Sequence, residues 1–260
     1  MRGIVTGAAL LLAACSGAQA ERVQLSGRSE QRPIPVGAFD KVELKGPDSV
    51  IVRVGGAPGV SVQGDSAVLD RMDIRVEDGK LVVRRKDRFS NVSGPQDRAT
   101  VTVSVPRLAA AAVGGSGEMS VDRVGGGDFA AAVGGSGRLR VSELRAGKLE
   151  AAVGGSGDLS VGRVDADAVE MAIGGSGTID LAGRARAVEA AIGGSGDILA
   201  SRLAAQTAEV SIAGSGNAAV NASDTADISI AGSGDVVVHG GARCQTAKMG
   251  SGSVRCGGAS

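Results

Sequence analysis

Apolar and polar residues alternate with period two along residues 101–257, and the alternation breaks at regular intervals. The break is a glycine-rich tetrad, Gly/Ala-Gly-Ser-Gly in its usual form, centred on Ser116, Ser136, Ser156, Ser176, Ser195, Ser215, Ser233 and Ser251 at intervals of 20, 20, 20, 19, 20, 18 and 18 residues. Positions three, five and seven before each serine are mostly apolar, as in Leu149, Ala151 and Val153 or Val169, Met171 and Ile173. Positions three and five after it are apolar too, as in Leu159 and Val161, Ile179 and Leu181, or Val236 and Val238. A third apolar site falls eight after the serine at Val124, Leu144, Val164 and Leu203. Period-two runs are strands with one buried face, and a period near 20 residues is the mark of a solenoid. The pattern therefore predicts an all-β chain, a single-stranded parallel β-helix of three-sided 18–20-residue coils. Glycine at the corners permits close stacking from coil to coil. The general rule for parallel crossovers favours a right-handed helix, and strand stacking at ~4.8 Å gives eight coils a length of roughly 35–40 Å.

Ahead of the regular repeats, short strand-like runs (41–44, 50–52, 60–62, 74–76, 81–83) are separated by the turn signals Gly46-Pro47-Asp48, Gly55-Gly56 and Asp78-Gly79. Residues 66–72 suit one short helical turn, residues 86–98 read as a mobile polar loop, and 101–105 as a further strand. Residues 21–38, polar and holding Pro33 and Pro35, read as a tether to a domain spanning 39–257. The first twenty residues have the form of an export signal: Arg2, an apolar stretch from Ile4 to Ala14 too short to span a bilayer, then two competing processing sites. Cleavage after Ala18-Gln19-Ala20 releases a soluble periplasmic protein; Leu12-Ala13-Ala14-Cys15 resembles a lipobox, which makes Cys15 the lipidated first residue. No other segment is apolar enough to cross a membrane, so membrane contact is expected only through that anchor.

Composition narrows the function. The 28 basic and 28 acidic residues balance, and the chain has no Trp, no Tyr and only three Phe among 260 residues. Neither a long-range positive field nor stacking platforms are present, which argues against nucleic acid and against sugar binding by ring stacking. Cys15 leaves the thiol pool under either processing route. Cys244 lies seven before Ser251 and Cys256 five after it, both in inward columns of the last coil, so a disulfide there is expected in an oxidising compartment.

Two outward columns are candidates for chemistry. Six before the serines stand Glu150, Glu170, Glu189, Glu209 and Asp227, a carboxylate ladder if the coils stack in register. Aligned like charges repel, so the column is either a stripe for cations or a basic partner, or a solvated face neutralised by neighbours such as Arg163 and Arg202. Four before the serines, Ala132, Ala152, Ala172 and Ala191 belong to an entirely small column that also takes in Ala112, Ser211, Ser229 and Ala247. That strip is either a docking surface or ground covered by the N-terminal strands or loop 86–98. Asp158, Asp197 and Asp235 follow the tetrad; the period does not match nine-residue calcium repeats, and turn capping by a short carboxylate is the expected role. Eight equivalent serines cannot all be nucleophiles, and the one histidine, His239, sits in a turn. No catalytic residue, metal site or cofactor is expected.

Phe39-Asp40-Lys41-Val42-Glu43-Leu44, Asp78-Gly79-Lys80-Leu81, the repeated Gly-Ser-Gly-Asp between Val and Ile residues, and the ending Ala242-Arg243-Cys244 … Gly250-Ser251-Gly252-Ser253-Val254-Arg255-Cys256-Gly257 resemble the bacterial family called putative auto-transporter adhesin, head GIN domain, over about residues 35–257. The resemblance implies an exported β-helical protein and brings no catalytic residues. No translocating β-barrel is apparent, so autotransport in the strict sense is not expected. The leading expectation is a non-enzymatic envelope protein, periplasmic or at the outer membrane and cell surface, that binds envelope polysaccharide, a protein partner or its own copies. A polysaccharide-active enzyme using the ladder and a purely structural, self-associating protein are the alternatives.

Overall fold

Nearly every described residue belongs to a strand or to a corner between strands. The computed structural model describes residues 25–86 and 97–258; the expected export signal, the lipidation candidate Cys15 and most of the expected 86–98 loop lie outside them. The strands in chain order are β1 (Ser29–Ile34), β2 (Lys41–Lys45), β3 (Ser49–Val54), β4 (Gly59–Asp65), β5 (Met72–Glu77), β6 (Lys80–Arg85), β7 (Thr100–Val105), β8 (Ala110–Val113) and β9 (Glu118–Gly125). They continue through β10 (Phe129–Val133), β11 (Arg138–Val153), β12 (Asp158–Ile173), β13 (Thr178–Ile192), β14 (Asp197–Gly214), β15 (Asn217–Gly232), β16 (Val236–His239), β17 (Arg243–Gly250) and β18 (Val254–Gly258). One turn of helix, α1 (Ser66–Leu69), is capped by Asp65.

From β8 onward the chain is the expected parallel solenoid, with about seven turns. Register follows the tetrads: Leu149 pairs with Val169, Val188 and Ala208 in succession, and Leu139 with Leu159, Ile179 and Ile198. The inward columns are sealed; Leu139, Leu149, Ile179 and Leu181 are fully buried, each such side chain contributing ~1.5–3 kcal/mol of burial. The third side is buried at Val124, Leu144, Val164 and Leu203. In the 19-residue coil this column is filled by Gly183, paired with both Val164 and Leu203. One residue is missing on that side, so the backbone cuts inward at φ +133°, leaving no space for a Cβ against Val164.

The N-terminal strands extend the same stack. β2 pairs in parallel with β8 and β6, and β3 with β9 and β7. Beyond them the chain changes direction: β5 lies antiparallel to β6, β4 to β7, and β1 to β4. Residues 29–34, expected as part of a tether, are therefore a strand. Period-two hydrophobicity could not reveal it, because β1 is an edge strand held by its backbone and by polar contacts. Asp65 accepts from the backbone N–H groups of Ser26 (3.0 Å), Gly27 (2.8 Å) and Ala67 (2.9 Å). Arg32 pairs with Asp70 at 2.6 Å and Glu30 at 2.8 Å.

The hydrogen bond from the Ser26 backbone, with those from Ala67, the Ser26 hydroxyl and Gly27, holds the Asp65 carboxyl below the usual aspartate range despite some desolvation. A depressed folded value means a contribution that is complete above the unfolded value of ~4 and lost as pH falls through the lower, folded one. Hydrogen exchange of residues 26–34 is expected to accelerate selectively below that window, and Asp65→Asn is expected to show the acid behaviour already at neutral pH. Uniform exchange across β1 and β2 at all pH values would contradict this anchoring.

At the other end, Cys244 and Cys256 form a disulfide with Cα atoms 6.5 Å apart. Both stand in the columns expected of them, opposite Ala226 and Val238. Closing a loop of this size stabilises by ~3 kcal/mol in the chain-entropy account.

Candidate functional site

The sheet formed by β8, β10, β17 and the C-terminal portions of β11–β15 carries both outward columns singled out in the sequence. Glu150, Glu170, Glu189, Glu209 and Asp227 are direct register partners on successive coils. The strand spacing puts their Cα atoms ~4.8 Å apart. On one side of them runs Ala132, Ala152, Ala172, Ala191, Ser211, Ser229 and Ala247, again in register. On the other run Lys148, Ala168, Ala187, Thr207, Thr225 and Arg243. The face is thus a row of carboxylates standing over a shallow floor of methyl and hydroxyl groups. Ala132, Ala152 and Ala172 are exposed and Ala191 is half-buried. The N-terminal strands do not cover this strip; they prolong it, with Glu43 opposite Ala112.

Neutralisation of the ladder differs from expectation. Arg163 pairs with Glu143 at 3.4 Å and Arg202 with Asp180 at 2.9 Å, both on other faces. The ladder's counter-ion is Lys148, whose Nζ lies 2.7 Å from Glu170 and 2.9 Å from Glu150. The neutralised-face alternative looked to Arg163 and Arg202 on neighbouring faces; strand geometry instead lets a lysine two positions along the same strand lean onto two rungs at once. Hydrogen bonding to Glu170 and then Glu150 raises the Lys148 ammonium above its usual range. Glu189, Glu209 and Asp227 make no ion pair within 4 Å among the described residues. Lys148→Met is expected to leave Glu150 and Glu170 repelling each other, and the thermal midpoint of this variant is expected to rise with added salt more steeply than that of the wild type. Identical salt slopes would show that Lys148 does not set the ladder's electrostatics.

The aspartates after the tetrads serve the stack. Asp158 pairs with Arg138 of the preceding coil at 2.7 Å, Asn217 donates to Asp197 at 2.9 Å, and Asp235 accepts from the Ser253 hydroxyl at 2.6 Å and its backbone N–H at 2.9 Å. These bonds from Ser253 hold Asp235 below the usual range. Coil-to-coil bridging, rather than capping within one turn, is what the spacing produces. The eight tetrad serines are exposed. Among the described residues no group of three or more His, Cys, Asp or Glu side chains is arranged to hold a metal ion, and no helix is long and apolar enough to cross a membrane.

Two polar clusters near the N-terminal end escaped the sequence reading. Glu43, largely buried, lies 2.6 Å from Lys80 and 3.3 Å from Lys45. Burial pushes its carboxyl up, but hydrogen bonds from Lys80 and Lys45 and their charges outweigh this and hold it below the usual range. Deeper still, Arg85 donates from Nε and Nη2 to Asp48 at 3.0 and 2.7 Å, and Asp48 also accepts from the Ala99 backbone at 2.9 Å. The partners lie 37 and 51 residues apart in the chain, a separation with no local signal.

An apolar interior and glycine corners stacked coil on coil define a parallel β-solenoid. The chain belongs to the family described as "Putative auto-transporter adhesin, head GIN domain", whose model matches residues 38–242. No curated protein matches it. Among solved structures, it is similar to a putative adhesin from Parabacteroides distasonis ATCC 8503, with TM-score 0.83, 26% identity, and coverage of 91% of this chain and 100% of that one. It is also similar to a putative lipid binding protein from the same organism, with TM-score 0.81, 25% identity, and 91% and 99% coverage. A putative adhesin from Parabacteroides merdae ATCC 43184 shares the fold at TM-score 0.81 and 23% identity, over 90% and 98% of the two chains.

Proposed function

We propose that this chain is an exported, non-enzymatic adhesin-type binding module of the cell envelope, which engages an extended partner along the face bearing the carboxylate ladder. The observation that carries this reading is the register of Glu150, Glu170, Glu189, Glu209 and Asp227, of which only the first two have a lysine within ion-pair distance. A row of like charges costs folding energy. Its presence, together with flanking columns of mostly small residues that leave room for a polymer to lie along the rod axis, supports a recognition role for the exterior. Repeating contacts at strand spacing suit a polymer, because each further coil adds a further weak contact without new ordering of the protein.

The family assignment and the resemblance to a putative adhesin support binding as the activity. The lipid binding suggested for the other P. distasonis protein finds less support here. The exposed large apolar side chains among the described residues, Leu25, Ile51, Leu199 and Met249, are scattered rather than gathered into a patch. Export to the periplasm or the outer surface rests on the leader-like first twenty residues and the disulfide.

The test is retention of the mature protein on immobilised bacterial envelope and host-surface polysaccharides, with polymer length scored in the same samples. Retention without shortening, reduced at least ~10-fold by the triple change Glu189→Gln, Glu209→Gln and Asp227→Asn, is the expected result. Shortened polymer would replace this reading with an enzymatic one and make the same carboxylates candidates for acid–base work. Retention unaffected by the triple change would move the binding surface to another face.

A further inference from the structure

The last coil breaks the pattern of every coil before it. The column three before the serines runs Val113, Val133, Val153, Ile173, Ile192, Ile212 and Ile230, all buried, and then ends in Lys248, the register partner of Ile230. The column five before them ends likewise, with Thr246 opposite Ile228. Lys248, like Thr246, is exposed at the open end of the stack. Its Nζ folds back across the corner to donate to the Gly252 carbonyl at 2.8 Å, so a charged group spans the end of the apolar interior. The third inward position of that strand is Cys244, tied to Cys256 of β18. Outward from this coil no described strand pairs with β17 or β18, whose partners are β15 and β16.

An unpaired strand edge backed by an apolar column is a template for another strand. The edge of β17, eight residues long, would meet the same edge of a second copy antiparallel across a two-fold axis, where each backbone donor faces an acceptor and the contact closes on itself. At the opposite end the described unpaired edges, those of β1 and β5, are of another kind. That end is overlaid by antiparallel strands whose outermost members carry Pro33 and Arg32 in β1 and Asp73, Arg75 and Glu77 in β5.

We propose that the C-terminal coil is a terminator against self-association: its edge fits a second copy of this chain, and Lys248 and Thr246 keep that copy off by placing an ammonium and a hydroxyl where two apolar columns would join. An inward charge on an edge strand does this at little cost to the monomer, because the ammonium still reaches a carbonyl and water. In a paired end both ammonium groups would be buried on the same inner face, with no carboxylate in the inward columns they join. The disulfide holds the strand in the position that makes the block effective.

The test compares the wild-type mature protein with Lys248→Ile/Thr246→Val, disulfide intact, by sedimentation velocity and hydrogen exchange. The wild type is expected to sediment as one species independent of concentration, with rapid exchange of those amides of residues 243–250 that point away from β15. The double variant is expected to show a mass rising ~2-fold with concentration and protection confined to those amides. Should that variant fail to fold, Lys248→Met keeps the stem, removes the charge and gives the same readouts. A folded variant that stays monomeric with unchanged exchange overturns the proposal. So does association without protection of 243–250, or a wild type that already pairs through this edge.

Discussion

Gly175→Ala is expected to destabilise the rod by about 3 kcal/mol, the upper end for forced overpacking, while Gly174→Ala, one residue earlier, is expected to stay within ~0.5 kcal/mol of wild type. The two glycines share a corner and neither needs a left-handed backbone, so space decides. A Cβ on Gly174 would have nothing within 4 Å, and later coils place Ala213, Ala231 and Met249 at that position. A Cβ on Gly175 would be driven into the carbonyl of Gly155 on the coil below, with its carbon only 3.0 Å away. That carbonyl cannot swing aside, because it accepts the Ser176 amide at 3.0 Å, and the Gly175 carbonyl in turn accepts from Ser195 at 3.0 Å. The substitution therefore either breaks the corner hydrogen bond or pries apart two coils. Urea denaturation followed by far-UV circular dichroism reads the difference; equal midpoints for the two variants would mean that the corners are not the stacking points described.

Asp48→Ala is expected to cost about 3–5 kcal/mol, the range for removing one partner of a buried ion pair. Asp48 is fully buried and Arg85 is 7% exposed, so the guanidinium would be left without its anion and the Ala99 amide without its acceptor. The pair also ties the two flanks of the segment between β6 and β7, because Arg85 donates to the Asp97 carbonyl as well. Replacing both partners, Asp48→Leu with Arg85→Met, is expected to recover part of the loss, since no charge is then stranded. The deficit that remains should approach the ~1–3 kcal/mol of an unpaired buried amide. A single variant within 1 kcal/mol of wild type by the same urea assay would show that water reaches the site.

The candidate surface was legible in position but not in its electrostatics. The five carboxylates and the small column could be indexed from the tetrads because every coil repeats one register, and the columns formed as indexed. That Lys148, not Arg163 or Arg202, faces two of those carboxylates depends on how a side chain leans between neighbouring rungs. A one-dimensional index carries no such information.

By itself the sequence determined the solenoid, its coil length, which columns face inward and the pairing of Cys244 with Cys256, because a stack of near-identical coils turns local periodicity directly into three-dimensional neighbours. Only the tertiary structure decided the N-terminal end. There β1, β4 and β5 run antiparallel, Asp65 anchors a segment that reads as a tether, and Asp48 meets Arg85 in the interior. Those contacts join residues that share no repeat. Their pairing is set by which polar groups must find partners when the stack is closed off, a condition that exists only once the rest of the rod has formed.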